Sequence, residues 1–141
     1  MDFSLSDDQQ AFVDSARAFS QGVLAPKAAE WDETAHFPKE ALAQAGELGF
    51  MGMYTPEAAG GLALPRLDAS LIVEELAKGC TTTAAYLTLQ NMATSMIGKY
   101  CTHSVIDEWC PGLGMGAKLA SYCLTVTGAG SVAASRRTSA P

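Results

Sequence analysis

Positive charge is scarce in this sequence: 9 Lys and Arg stand against 15 Asp and Glu in 141 residues, a formal net charge of −6. Arg136-Arg137 is the only adjacent cationic pair, and no basic stripe runs along any segment. Neutralising a phosphate backbone takes several Lys or Arg on one face, so nucleic acid is excluded as a partner. The opening residues Met1-Asp2-Phe3-Ser4-Leu5-Ser6-Asp7-Asp8 hold neither a basic stretch nor an apolar run. They read as neither a secretory signal nor an organellar leader, and a cytoplasmic chain is expected. Cys80, Cys101, Cys110 and Cys123 form no CxxC pair, which predicts reduced thiols. Cys101, His103 and Cys110 match no standard zinc spacing, so no metal site is expected. No G-x-S-x-G elbow occurs either, and the residue chemistry shows no catalyst.

Long charge-free runs are also few, and one needs an account. Gly79 to Gly98 carries no charge but holds eight hydroxyl or amide side chains: Thr81, Thr82, Thr83, Thr88, Gln90, Asn91, Thr94 and Ser95. Lipid leaves such groups unsatisfied, so the run predicts a helix buried in protein, with no membrane contact. The composition, 48% hydrophobic and 17% charged, suffices for a sizeable core.

Helical signals dominate what is present. Ser6 and Gln9 form a capping box ahead of an apolar face of Phe12, Ala16, Phe19 and Val23. Pro26 interrupts that helix, and a short piece follows through Asp32. Pro38 opens another, with Ala41, Leu42, Ala45 and Leu48 as its stripe and Gly46 and Gly49 at its end. Pro56, Gly60 and Gly61 mark a loop between Phe50 and Leu64. Leu67 to Lys78 predicts an amphipathic helix with Leu67, Leu71, Ile72, Glu75 and Leu76 on one side. Thr81 to Tyr100 is the buried helix, and a short helix is expected near Ser104 to Trp109. Gly112, Gly114 and Gly116 read as a linker, Leu119 to Val126 as a strand, and Gly128-Ala129-Gly130-Ser131 as a tight loop. A strand this isolated has no neighbour for its ladder hydrogen bonds.

Several candidate sites yield blander readings. Gly128-x-Gly130-x-x-Ala133 matches the dinucleotide fingerprint in form, but the eight residues after Ala133 contain no acid for a ribose, and nicotinamide binding is set aside. The carboxylate groups Glu30/Asp32/Glu33, Glu74/Glu75 and Asp107/Glu108 read as solvated helix faces. His36 and His103 are isolated and read as surface residues.

The stretch Ser121-Tyr122-Cys123-Leu124-Thr125-Val126-Thr127-Gly128-Ala129-Gly130-Ser131 resembles the flavin-binding signature of acyl-CoA dehydrogenases, Y-C-x-T-E-P-x-x-G-S-D. The likeness extends along essentially the whole chain. Glu47-Leu48-Gly49-Phe50, Arg66-Leu67-Asp68, Gly79 through Tyr86, Gln90-Asn91-Met92 and Ala133-Ala134-Ser135 look most like the branch of that family that takes isobutyryl-CoA. The resemblance implies a mainly α fold. Residues 1–112 would be the helical N-terminal domain, and 113–141 the first strand and loop of an incomplete FAD-binding β domain. It implies that Tyr122, Leu124, Thr125, Gly130 and Ser131 line FAD, with Ser131 also approaching the thioester arm of the acyl-CoA. The family removes an α-proton with a glutamate and passes a β-hydride to the flavin; electrons then leave to an electron-transfer flavoprotein. Its members assemble as homotetramers. No residue here matches the glutamate base, so an isolated N-terminal fragment is expected to be inactive; a non-enzymatic helical interaction module is the alternative. Val126, Thr127 and Val132 stand where the signature has Glu, Pro and Asp.

Overall fold

A computed structural model describes residues 4–135, 137 and 139. Six α-helices account for most of it: α1 (Asp7–Phe19), α2 (Ala28–Glu33), α3 (Lys39–Glu47), α4 (Arg66–Gly79), α5 (Thr81–Tyr100) and α6 (His103–Gly114). Single 3-10 turns lie at Glu57–Ala59 and Ala133–Ser135. No strand forms among the described residues.

The capping box forms as its residues predict. The Gln9 N–H donates to Ser6 Oγ at 3.2 Å, and the Ser6 N–H donates to Gln9 Oε1 at 3.1 Å. Val13, Ala16 and Phe19 then face inward. Pro26 cannot donate a helical bond, and just before it the helix widens into a π turn, Ser20–Leu24, where the Ala25 N–H reaches Ser20 O at 2.8 Å. The widened turn still delivers Leu24, fully buried, to the core.

Helices α1 and α4 lie side by side and run the same way. Gln9 meets Asp68 (2.8 Å), Arg17 meets Glu75 (3.1 Å), and a Cβ on Gly79 would collide with Ser20. The buried stripe of α4 is Ala69, Ile72, Glu75 and Leu76, whereas Leu67 stays 61% exposed. The expected stripe is thus corrected at its first residue: α4 packs on α1 and α5 together, and Leu67, in its first turn, lies outside that contact.

Glu75 is the sharper correction. It is buried rather than on a solvated face, because its carboxylate takes hydrogen bonds from Arg17 Nε (3.2 Å), Arg17 Nη2 (3.1 Å) and Lys78 Nζ (2.8 Å). Those bonds hold its pKa below the usual carboxylate value, Arg17 contributing most.

The charge-free run is the buried helix α5. Asn91 shows what its polar side chains do: its amide donates to Phe50 O (2.7 Å) and Leu87 O (2.9 Å) and accepts from the Met53 N–H (2.7 Å). The loop between α3 and α4 is thereby fastened to α5, and Phe50, Met51 and Met53 are buried against Phe19, Leu42, Ile72, Leu76 and Leu87.

Helix α6 runs five residues past the expected Trp109 and through Pro111, so Gly112 and Gly114 are helical and not a linker. Cys110 and Leu113 are buried, and that packing outweighs the poor helix propensity of Pro and Gly. The helix ends at Gly114, and just past it Gly116 has a φ of 73° that suits glycine; a Cβ there would press on Leu42 O and Met51 Sδ, each 3.0 Å away. No helix among the described residues is long and apolar enough to cross a membrane.

Candidate functional site: the segment leaving α6

Past α6 the chain runs extended along the helices. Lys118 is anchored first. Its N–H donates to Gly112 O (2.8 Å), its Nζ to Glu108 O (3.1 Å), and the ammonium sits 4.3 Å from the centre of the Trp109 ring. Ala120 comes next, held by two side chains of α5. Gln90 Oε1 accepts the Ala120 N–H at 2.8 Å, and the Tyr86 hydroxyl donates to Ala120 O at 3.0 Å. Burial raises the Tyr86 pKa, which keeps that hydroxyl a donor.

Residues 119–126 do not form the expected strand. Among the described residues the backbone pairing seen here is local: Val126 and Ala129 exchange N–H···O bonds of 3.0 Å each, closing a tight turn over Thr127 and Gly128. The physical reason is the lack of a neighbouring strand; the polar groups of Ala120 are satisfied by α5 instead.

The structure strings the five residues assigned to flavin by resemblance along this segment. Tyr122 and Leu124 are half-buried, and Thr125, Gly130 and Ser131 are exposed. A Cβ on Gly128 or Gly130 would meet nothing within 4 Å, so the backbone edge there is open. The Val126–Ala129 turn uses its own N–H and C=O groups, leaving the hydroxyls of Thr125 and Ser131 as exposed polar groups on either side. A cavity of about 580 Å³ beside the turn is lined by Val126, Thr127, Gly128, Ser135 and Arg137. None of the five residues assigned to flavin by resemblance lines that cavity; what they offer beside it is two exposed hydroxyls and an open backbone edge at Gly130. Arg136 and Thr138 lie outside the described residues.

A second cavity, about 340 Å³, lies between α2, the turn before α3 and the start of α5, with Trp31, Phe37, Leu42 and Tyr86 among its walls. Phe37 packs edge-on against Tyr86, centroids 5.1 Å apart, and His36 stacks on Trp31 at 6.2 Å. Cys80 lines it as well, accepting from the Thr83 hydroxyl at 3.2 Å. All four cysteines are free thiols. No group of three or more His, Cys, Asp or Glu is placed to hold a metal among the described residues.

Tyr86 and Gln90 are the residues sequence reasoning missed. Each sits in a segment that carries the family likeness, but a Gln amid Leu and Met on a helix gives no sign of what it bonds. The one usable signal is the polar content of the charge-free run.

The scaffold that positions this segment is that of a known family. The profile of the acyl-CoA dehydrogenase N-terminal domain matches residues 6–117, and the chain belongs to that family. Among individual proteins it is similar to the mitochondrial isobutyryl-CoA dehydrogenase of Bos taurus, 43% identical over 136 residues, covering 96% of this chain and 33% of the relative. The solved butyryl-CoA dehydrogenase of Megasphaera elsdenii superposes with a TM-score of 0.84 at 32% identity, covering 98% of this chain and 37% of that one. A chain solved in work on the electron transferring flavoprotein of Acidaminococcus fermentans superposes at 0.86 and 31% identity, covering 96% and 36%. The sequence thus spans about a third of the length of the curated relatives it matches.

Proposed function

We propose that this chain is the N-terminal part of an FAD-dependent acyl-CoA dehydrogenase that desaturates a short branched-chain acyl-CoA of the isobutyryl type and passes electrons to an electron-transfer flavoprotein. The observation that carries the reading is the 43% identity to isobutyryl-CoA dehydrogenase across 96% of the chain. Residues 1–112 are assigned to the helical domain, and 113–141 to the beginning of the FAD-binding β domain. Tyr122, Leu124, Thr125, Gly130 and Ser131 are assigned to the flavin, and Ser131 also to the acyl-CoA. When bound, the flavin supplies the hydride acceptor; this chain's residues contribute one edge of its site and exclude water from that edge. The assembled protein is assigned as a homotetramer. The free thiols suit a reducing compartment, for which the cytoplasm is proposed; the name of the bovine relative places that protein in mitochondria.

On its own the 141-residue chain offers a flavin only that edge. A few hydrogen bonds at roughly 0.5–1.5 kcal/mol each do not offset a ligand-immobilisation cost of about 4 kcal/mol or more. The purified chain is therefore expected to be colourless and inert toward isobutyryl-CoA. The reading is tested by grafting residues 1–141, which include the segment Tyr122–Ser131, onto the bovine relative in place of its own N-terminal third. A chimera with one flavin per chain, bleached anaerobically by isobutyryl-CoA, supports it. A folded chimera that binds no flavin overturns it in favour of a helical interaction module, and one bleached only by linear acyl-CoA overturns the branched-chain assignment.

A further inference from the structure

We propose that Tyr86 and Gln90 form a positioning clamp that takes the place of a β-strand neighbour for Ala120 and sets the register of the segment Tyr122–Ser131. The clamp rests on the geometry of α5; only what the segment faces rests on the flavin reading above.

In an antiparallel sheet, a hydrogen-bonded residue gives its N–H to its partner strand and takes an N–H on its carbonyl. Ala120 has both bonds without a strand: its N–H goes to Gln90 Oε1 and its carbonyl accepts from the Tyr86 hydroxyl. Gln90 is wholly buried and fully used. Its Nε2 donates to Leu113 O (2.9 Å) and Lys118 O (3.2 Å), and its Oε1 also lies 3.3 Å from the Tyr86 hydroxyl. One side chain therefore ties the last turn of α6, the residue before the segment's first exposed leucine, and Ala120 to the middle of α5. Releasing it would leave a buried amide unsatisfied, so the arrangement is stable against small shifts of the chain.

The consequence for register is visible in the burial pattern. Lys118, Ala120, Tyr122 and Leu124 are half-buried, while Leu119, Ser121, Cys123 and Thr125 are exposed. That is the period of two of an extended chain, kept here without a sheet. A slip of one residue at Ala120 would turn Tyr122 and Leu124 outward and bring Cys123 and Thr125 in. The clamp sits two residues before Tyr122, where the alternation is decided.

The test is amide hydrogen exchange followed residue by residue in the full chain without flavin, in the wild type, Gln90→Leu, Tyr86→Phe and the double variant. In the wild type the Ala120 amide is expected to exchange about tenfold or more slowly than that of Ser121. Gln90→Leu is expected to remove that protection while Leu87 and Asn91 in α5 keep theirs, and Tyr86→Phe to reduce it by less. The double variant is expected to lose no more than Gln90→Leu alone, because both side chains act on one residue. An Ala120 amide exchanging as fast as Ser121 in the wild type overturns the clamp, whatever the variants do. So does protection at Ala120 that survives Gln90→Leu, or that falls only in step with Leu87 and Asn91 as a general loss of stability would make it. Failure of the flavin reading shows in the chimera's colour and leaves these exchange rates unchanged.

Discussion

The two ends of the molecule satisfy their backbone polar groups by different means. From Ser6 to Gly114 each helix closes its own hydrogen bonds, and the side chains are left to pack or to link helices, as Arg17, Glu75 and Asn91 do. From Lys118 onward the backbone borrows its partners: Gly112 for Lys118, Gln90 and Tyr86 for Ala120, and a two-residue turn for Val126 and Ala129. The same sequence thus contains a part that specifies itself and a part whose conformation is lent by the first. A perturbation in the helices should be felt by the whole chain, and one in the tail by the tail alone.

The largest effect that comparison demands is in the shared core. Leu76 is fully buried in α4 among the residues that join α1, α3 and α5. Leu76→Ala is expected to cost about 2–5 kcal/mol, read as a lower urea midpoint with helix signal and Trp fluorescence falling together. Two separate transitions would show that the helical part is not one cooperative unit.

Next comes the ion pair that joins α1 to α4. Glu75→Gln keeps the shape and removes the charge met by Arg17 and Lys78, whose side chains are 43% and 57% exposed. Hydrogen bonds to charged groups contribute up to about 3 kcal/mol, but solvent around both cations discounts this to about 1–2 kcal/mol. The pH dependence has a definite sign. The folded pKa of Glu75 lies below its ordinary value of 4.5, so its contribution is fully present above that value. It is lost as pH falls through the depressed folded pKa. As pH falls from 4.5 through that depressed folded pKa, the wild type and Glu75→Gln should converge in stability; parallel curves down to acid unfolding would remove Glu75 from the account. A smaller loss, about 1 kcal/mol, is expected for Ser6→Ala, which leaves the Gln9 N–H without its cap; calorimetry of the two proteins measures it.

The legible part of the sequence divides along the same line. The capping box, the helix from Thr81 to Tyr100 and the glycine end at Gly79 follow from local rules, because a helix satisfies itself locally. The stripe of α4 includes Glu75 on its apolar side, but the partner that lets a carboxylate stay buried there, Arg17, is 58 positions away and gives no local sign. Helix α6 is longer than local rules predict because Pro111 and Gly112 are breakers by propensity, whereas Cys110 and Leu113 gain more from burial. The strand expected over 119–126 does not form, although burial alternates along 118–125; what the sequence could not reveal is that α5 side chains stand in for a neighbouring strand at Ala120. Of the candidate site, the five residues assigned to flavin came from family likeness alone, and the two that hold the segment in place gave no local sign.

The smallest expected effect is in the tail and tests the comparison from the other side. Thr127 is the first of the two central residues in the turn from Val126 to Ala129, the position where proline's fixed φ suits a tight turn. Neither reciprocal bond of that turn uses the Thr127 N–H, so Thr127→Pro, which restores the residue of the family signature, removes no bond that closes it. Val126 ahead of it pairs with Ala129 as an isolated antiparallel bridge, and neither bond of that pair involves the Thr127 nitrogen. Proline at a compatible site stabilises by about 0.4–1 kcal/mol through the unfolded state. Here that gain should stay local, because among the described residues the turn makes no hydrogen bond to the helical core that would pass it on. Thr127→Pro should therefore leave the urea midpoint unchanged and slow proteolytic cleavage around residues 125–130 by about two- to fivefold. A matching rise in global stability would mean that the turn is coupled to the core by contacts as strong as the helices' own, and the division between a self-specified and a borrowed region would fail.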